Sequence, residues 1–123
     1  MMTDSLPQPA PPPAVRADTS GWAVVTLAGE QNAAVGDLAR TALIEADALG
    51  GGRVIVDLTG ATATGSVVLG LLISAVRRAG RHPGGAVRLV GADERLTAKL
   101  RITGMHRILP TYPDLQAATK DEP

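Results

Sequence analysis

The expected fold rests on residues 54–72, Val-Ile-Val-Asp-Leu-Thr-Gly-Ala-Thr-Ala-Thr-Gly-Ser-Val-Val-Leu-Gly-Leu-Leu. The first residues form a continuous apolar run, which is typical of a strand covered on both faces of a sheet. Small and hydroxyl residues follow, and from Ser66 the apolar positions have helical spacing. The segment therefore predicts a buried strand, a loop and a helix. The Ser66 hydroxyl falls at the helix start, where unpaired N–H groups and the helix dipole favour an anion.

Strand and helix patterns alternate on both sides of this segment. The predicted strands are 15–18, 22–28, 53–58, 86–90 and a short edge strand at 108–109. The predicted helices are 34–49, 66–79, one capped by Asp93 that runs to Ile102, and one capped by Asp114 that runs to Ala118. The expected fold class is α/β: a small mixed, mostly parallel sheet, entered by a β-hairpin and covered by about four helices.

Composition restricts the function classes. The 12 Lys and Arg residues balance the 12 Asp and Glu residues, so no broad field attracts nucleic acid or an anionic membrane. The absence of cysteine excludes disulfides, thiolate catalysis and cysteine metal sites. We expect a disordered or polyproline II tail over 1–14, one domain over 15–119 and a short tail over 120–123. Neither a signal peptide nor a membrane span is recognisable, which predicts a cytoplasmic protein.

No set of residues has the pattern of a catalytic, cofactor or metal site. His82 and His106 have no carboxylate or second histidine at ligand spacing, and His82 is expected to be a turn residue. Asp57 ends a central strand, but the acidic pair and lysine of a receiver domain are absent. Asp57 is therefore expected to accept backbone N–H groups of the following loop. We expect no enzyme, no cofactor and no metal.

Helical periodicity gives the 66–79 helix two faces. The predicted core face consists of Val68, Leu71, Leu72, Ala75, Val76 and Ala79. The opposite face carries Ser66, Gly70, Ile73, Ser74, Arg77 and Arg81. A glycine permits close approach of another surface, and a merely solvated face has no need of Ile73. The residues alone leave open whether Ser66 is a helix cap, part of an anion site or the acceptor for a phosphate.

Four segments in this order resemble a known family. Residues 24–30 are similar to a strand that ends in Gly-Glu-Leu-Asp, and residues 54–60 to a central strand. Residues 65–70 take the place of Asp-Ser-Ser-Gly-Leu-Gly, and residues 102–110 that of a Leu-Thr-Gly-Leu stretch. From about Val15 to Ala118 the chain thus resembles the STAS domain of bacterial anti-sigma factor antagonists.

The resemblance implies a switch. In the family, the first motif serine is phosphorylated by a cognate anti-sigma factor, an ATP-dependent serine kinase. The unphosphorylated antagonist binds this kinase and frees a sigma factor, and a phosphatase reverses the modification. By position the acceptor here is Ser66. The expected partner-binding residues are Glu30, Asn32, Thr64, Gly65, Ser66, Val67, Gly70, Ile73 and Arg77.

The chain departs from the family motif at several positions. Gly65, Val67 and Val68 stand where the family has Asp, Ser and Gly, and Gln31-Asn32 replaces Leu-Asp. Thr62 and Thr64 are further loop hydroxyls, interpreted as solvated and ranked below Ser66 as acceptors. The alternative expectation is a structural STAS subunit that is not phosphorylated, within a stressosome-like complex or a lipid-transporter ATPase.

Overall fold

The computed structural model describes residues 11–62 and 64–120, so most of the predicted N-terminal tail and residues 121–123 lie outside the described residues. The strands are β1 (Ala14–Ala17), β2 (Ala23–Thr26), β3 (Gly29–Glu30), β4 (Arg53–Asp57), β5 (Ala61–Thr62), β6 (Ala86–Val90) and β7 (Thr111–Tyr112). The helices are α1 (Gly36–Leu49), α2 (Ser66–Ala79), α3 (Glu94–Thr103) and α4 (Leu115–Lys120). Short 3-10 turns cover Ala33–Val35 and Met105–Arg107.

The main sheet has the strand order β1-β2-β4-β6-β7. β1 and β2 form the antiparallel entry hairpin, and every other neighbouring pair is parallel. A second small sheet pairs β3 with β5 in parallel. The predicted fold class is confirmed: a mixed, mostly parallel sheet with four helices. The second sheet is an addition that the sequence pattern did not predict.

The two faces of the main sheet have different covers. Buried residues of α1, α2 and α3 pack on one face, against alternate residues of β2, β4 and β6 such as Val25, Val56 and Leu89. The opposite face is covered by Trp22 and by α4, which contributes the buried Ala118. Because β4 has neighbours on both edges and cover on both faces, its apolar run is continuous rather than alternating.

The last strand lies beyond the position predicted for it. The expectation of an edge strand at Ile108 and Leu109 is wrong, because pairing with β6 begins only at Thr111. The N–H of Leu89 donates to the Pro110 carbonyl at 2.9 Å. Extending this ladder backwards would require the N–H of residue 110 to bond to β6, and proline has none. Leu109 instead donates its N–H to Met105, at 2.9 Å, which closes the turn after α3.

His82 lies in the turn after α2, as expected, but it is not isolated from carboxylates. Its Nε2 lies 2.8 Å from Oδ2 of Asp47, a carboxylate on α1 that is distant in sequence and largely buried. Gly52 has a φ of +88°, and a Cβ at this position would lie 2.7 Å from the His82 ring. The glycine run therefore both ends α1 and leaves space for this contact.

Across the described ranges 11–62 and 64–120, no helix combines the length and the apolar character that crossing a membrane requires.

Candidate functional site

The start of α2 is as the sequence predicts, except for the identity of the cap. Gly65 is the N-cap residue and offers no side-chain hydrogen bond, while Ser66 is the first helical residue. Ser66 is exposed, and among the residues that the structure describes its hydroxyl has no hydrogen-bond partner. Of the three roles left open for Ser66, the structure excludes that of the α2 cap. Its hydroxyl projects from the first turn and is free to react or to bind.

The predicted division of α2 into two faces is observed. The core-face residues are buried apart from Val76, which is half-buried. On the other face Ser66, Gly70 and Arg77 are exposed, and Ile73 is half-buried. Arg77 lies about 16 Å from Ser66 along the helix axis, so the two belong to opposite ends of the exposed face.

A groove of about 380 Å³ lies between the first turns of α1 and α2. The α2 wall contains Ser66, Val67 and Gly70. The opposite wall, the α1 wall, is formed by Gly36, Asp37 and Arg40 of α1 and by Ala33 of the 3-10 turn before it. None of these four residues was predicted from the sequence. The helices approach closely at Gly36, where a Cβ would lie 3.7 Å from Cγ1 of Val67. The sequence signal for this wall was the pair of charges Asp37 and Arg40 near the α1 start.

The small sheet places Glu30 and Asn32 near the loop that leads to Ser66. Glu30 pairs in register with Thr62 of β5. Its Oε2 accepts a hydrogen bond of 2.9 Å from Nδ2 of Asn32. The Oδ1 of Asn32 accepts the N–H of Ala34 at 3.0 Å and so caps the short turn before α1. These two side chains therefore support the α1 wall of the groove.

Gln31, at the position of the family leucine, is buried between the two segments that the small sheet joins. Its Nε2 donates to the carbonyls of Ala28 and Gly29, at 3.0 and 3.2 Å. Its backbone N–H donates to Thr62 at 3.0 Å. The buried amide thus satisfies carbonyls of its own turn and fixes the path of the chain into the groove.

Thr64 differs from the expectation of a solvated loop hydroxyl. The residue is only 5% exposed, and its Oγ1 donates to Oδ2 of Asp93 at 2.9 Å. The other oxygen of Asp93 accepts the N–H of Leu96 at 2.8 Å and caps α3. Thr64 therefore ties the loop before α2 to the start of α3. Thr62 is exposed, so it remains an accessible hydroxyl of this loop besides Ser66.

Asp93 is held in its charged form by these bonds. The N–H of Leu96 is the main cause that lowers the pKa of Asp93, and the Thr64 hydroxyl lowers it further. Asp93, Arg95 and Lys99 line a second cleft of about 240 Å³ with Thr64 and Gly65. Charged groups at and before the start of α3 thus lie beside the loop that leads to Ser66.

One further expectation concerns Asp57, which does not line the groove. Oδ1 of Asp57 accepts the N–H of Thr59 at 3.0 Å, which confirms its predicted role in the loop after β4. Within the part of the chain that the structure describes, no three His, Asp or Glu residues are close enough to hold a metal ion.

The fold and the site together define a class of protein: a small α/β domain that exposes a serine at the first turn of a central helix. The model of the STAS domain family matches residues 14–118, and the chain belongs to that family. No curated protein sequence is significantly similar to it.

Several solved structures share this fold. The anti-sigma factor antagonist from Mycobacterium paratuberculosis is 26% identical, with a TM-score of 0.69 over 89% of this chain and 93% of that one. A STAS domain protein from Planctomyces limnophilus is 19% identical, with a TM-score of 0.75 over 87% and 93%. The Bacillus cell fate determinant SpoIIAA, in its phosphorylated form, is 15% identical, with a TM-score of 0.64 over 86% and 96%.

Proposed function

We propose that this STAS domain is an anti-sigma factor antagonist. It binds a cognate anti-sigma factor that is also a serine kinase, and so releases a sigma factor in the cytoplasm. Phosphorylation of Ser66 ends the binding, and a serine phosphatase restores it. The observation that carries the proposal is the exposed hydroxyl of Ser66 on the edge of the groove between α1 and α2, which has no hydrogen-bond partner among residues 11–62 and 64–120.

The proposed contact surface centres on this groove. Ser66, Val67 and Gly70 form one wall, and the exposed face of α2 continues through Ile73 to Arg77. In the part of the chain that the structure describes, no atom outside the backbone of α2 lies within 4 Å of the position of a Cβ on Gly70, so a partner can approach the helix backbone there. Glu30, Asn32, Thr64 and Gly65 complete the proposed site, with Thr64 and Asn32 acting through the loops that they hold.

Phosphorylation would act on this surface through charge. A phosphate adds about −1.5 to −2 charges, which the first turn of a helix tolerates in the free protein. Against a bound partner the same charge must be removed from water, which costs free energy. A penalty of about 1.4 kcal/mol already weakens binding tenfold, so a single phosphate suffices for a switch.

The comparisons support this proposal at the level of family and fold. The protein from Mycobacterium paratuberculosis whose sequence is 26% identical to this chain is an anti-sigma factor antagonist. The fold is shared with a protein that exists in a phosphorylated form.

Binding experiments with a charge at Ser66 test the proposed switch. The partner is recovered by pull-down, identified by mass spectrometry and titrated calorimetrically with wild-type protein, Ser66→Glu and Gln116→Glu. Gln116 is exposed on α4, across the sheet from the groove. Ser66→Glu is expected to raise Kd at least about tenfold, and Gln116→Glu to leave it unchanged. Equal affinities for wild-type protein and Ser66→Glu would remove the electrostatic switch.

A second candidate function is favoured by Gly65, which stands where the family motif has an aspartate. If kinase recognition needs that carboxylate, the same surface instead packs permanently in a larger STAS assembly. The Ser66→Glu titration distinguishes the two functions only together with the partner's identity. An ATP-binding kinase in the pull-down supports the antagonist, whereas ATPase and permease subunits support the structural role.

A further inference from the structure

Arg40 lies on the wall of the groove opposite Ser66. Both residues line the same 380 Å³ space, and Gly36, one turn before Arg40, packs beside Val67. Arg40 is exposed and forms no ion pair or hydrogen bond through its side chain within residues 11–62 and 64–120. Its guanidinium is therefore available to an anion that enters the groove from the α2 side.

We propose that Arg40 binds the phosphate of phosphorylated Ser66, so that α1 and α2 become bridged across the groove. This inference rests on the proposed function, because it concerns the phosphorylated state of Ser66. A phosphoserine presents three acceptor oxygens, and an arginine in reach forms one to three charge-assisted hydrogen bonds with them. The planar guanidinium matches two phosphate oxygens at once.

Charges on every neighbouring element act on this phosphate. The charged groups around it are Asp37 and Arg40 on α1, Glu30 on β3, and Asp93, Arg95 and Lys99 at the α3 cleft. Asp37 opposes the phosphate, but the first turns of α1 and α2 both present their positive ends to the groove. The Glu30 carboxylate accepts a hydrogen bond from Asn32, and the Asp93 carboxylate accepts hydrogen bonds from Thr64 and Leu96.

Arg40 is favoured over the two cations of α3 by the position of Ser66. Ser66 lines the groove that contains Arg40, whereas the cleft that contains Arg95 and Lys99 is lined by Gly65 and Thr64. A phosphate on Ser66 thus extends first into the space on the α1 side. The bridge also fills the groove, so phosphorylation removes the space into which a partner side chain would fit.

The test uses protein in which phosphoserine is incorporated at position 66 during translation, so that no kinase is required. The phosphate pKa is measured by ³¹P NMR in the wild-type background, in Arg40→Gln and in the double variant Arg95→Gln/Lys99→Gln. A guanidinium in contact stabilises the dianion and lowers the phosphate pKa below its usual value of about 6. The Arg40→Gln substitution is expected to raise the phosphate pKa by about 0.5 unit or more relative to the wild-type background.

A second signal identifies the arginine directly. The Nε–H resonance of Arg40 is expected to move when Ser66 carries phosphate, with the same pH midpoint as the ³¹P signal. The proposal is overturned if Arg40→Gln leaves the phosphate pKa unchanged, or if only the Arg95→Gln/Lys99→Gln variant raises it. Failure of the partner to phosphorylate Ser66 would contradict the proposed function and would leave this titration unaffected, so the two failures are distinguishable.

Discussion

At the start of α2 the cap position and the side-chain oxygen belong to two successive residues, whereas a single aspartate supplies both at α3 and at α4. Asp93 and Asp114 cap α3 and α4 by accepting backbone N–H groups at 2.8 Å. At α2 the cap position is Gly65, and the hydroxyl of Ser66 follows it. The first N–H groups of α2 therefore have no side-chain acceptor from the cap residue, and an anion on Ser66 would meet them.

Gly65→Asp is expected to raise the free energy of unfolding by about 0.5–1 kcal/mol, because it adds a capping carboxylate and restricts the unfolded chain. The backbone at Gly65 has a φ of −96°, and among the described residues no atom beyond its chain neighbours lies within 4 Å of a Cβ there, so the side chain fits. Urea unfolding measures the change. Gly65→Ala is the control, because it restricts the unfolded chain without providing a cap. A variant less stable than wild type would contradict this description of the α2 start.

Asp93→Ala is expected to destabilise the protein by about 1 kcal/mol at neutral pH, the usual value of an N-cap. The pKa of Asp93 is lowered in the folded state from an ordinary value of 3.8, chiefly by the N–H of Leu96. Its contribution is therefore fully present above that ordinary value and is lost as pH falls through the lowered pKa. The free energies of unfolding of wild-type protein and Asp93→Ala, measured across the acidic pH range, test this pH dependence. A stability difference that does not narrow in acid would contradict the assignment.

At the scale of elements, α2 was predictable at both ends, whereas β7 was not. The α2 bounds follow from local signals: the small-residue loop before Ser66, the apolar period and Gly80 after Ala79. The position of β7 depends on which backbone groups of β6 lie opposite it. Pro110 limits the pairing only because, in this register, its missing N–H would have to bond to β6. A one-dimensional pattern carries no such pairing information.

The groove was predictable on one side only. Helical phase placed Ser66 and Gly70 on an exposed face, because that face is a property of α2 alone. The opposite wall, with Asp37 and Arg40, exists because α1 crosses α2 where Gly36 packs on Val67. Likewise Thr64 is buried by a bond to Asp93, 29 residues away. Such contacts depend on tertiary packing rather than on local spacing.

Gly70→Leu tests whether the exposed face of α2 is a contact surface. The space at Gly70 accepts a side chain, so the helix is expected to gain about 0.5–1 kcal/mol of stability in urea unfolding. The affinity for the partner is expected to fall at least about tenfold, because the side chain occupies the approach to the backbone.

Ala48→Leu provides the control for Gly70→Leu, because Ala48 is exposed on α1 outside the groove. It is expected to leave the affinity for the partner unchanged. Full partner affinity in Gly70→Leu would place the contact elsewhere.

In the molecule as a whole, one buried arginine joins the main sheet to α4, the helix that packs on its second face. Arg88 is 3% exposed, and its Nη1 donates to the carbonyl of Ala118 at 2.5 Å. Its guanidinium also lies 4.4 Å from the ring centre of Trp22 and 5.5 Å from that of Tyr112. The cation therefore bonds a carbonyl near the C-terminus of α4 and holds this short helix against the sheet.

Arg88→Ala is expected to lower the free energy of unfolding by about 2–4 kcal/mol, because it removes a charged hydrogen bond and the ring contacts. Hydrogen exchange is expected to accelerate in α4 and to remain slow in β4. Arg53→Ala is the control, since Arg53 also lies over Trp22, at 4.6 Å, without a bond to α4. If both variants lose the same stability and α4 exchanges no faster, α4 is held by its apolar contacts alone.

The proposed switch depends on Ser66 as the phosphate acceptor of this STAS domain. The most direct measurement is mass spectrometry of the protein after incubation with the recovered kinase partner and ATP. Wild-type protein is expected to gain one phosphate, located at Ser66, and Ser66→Ala to gain none. An unmodified wild-type protein, or a phosphate on Thr62 that persists in Ser66→Ala, would contradict it.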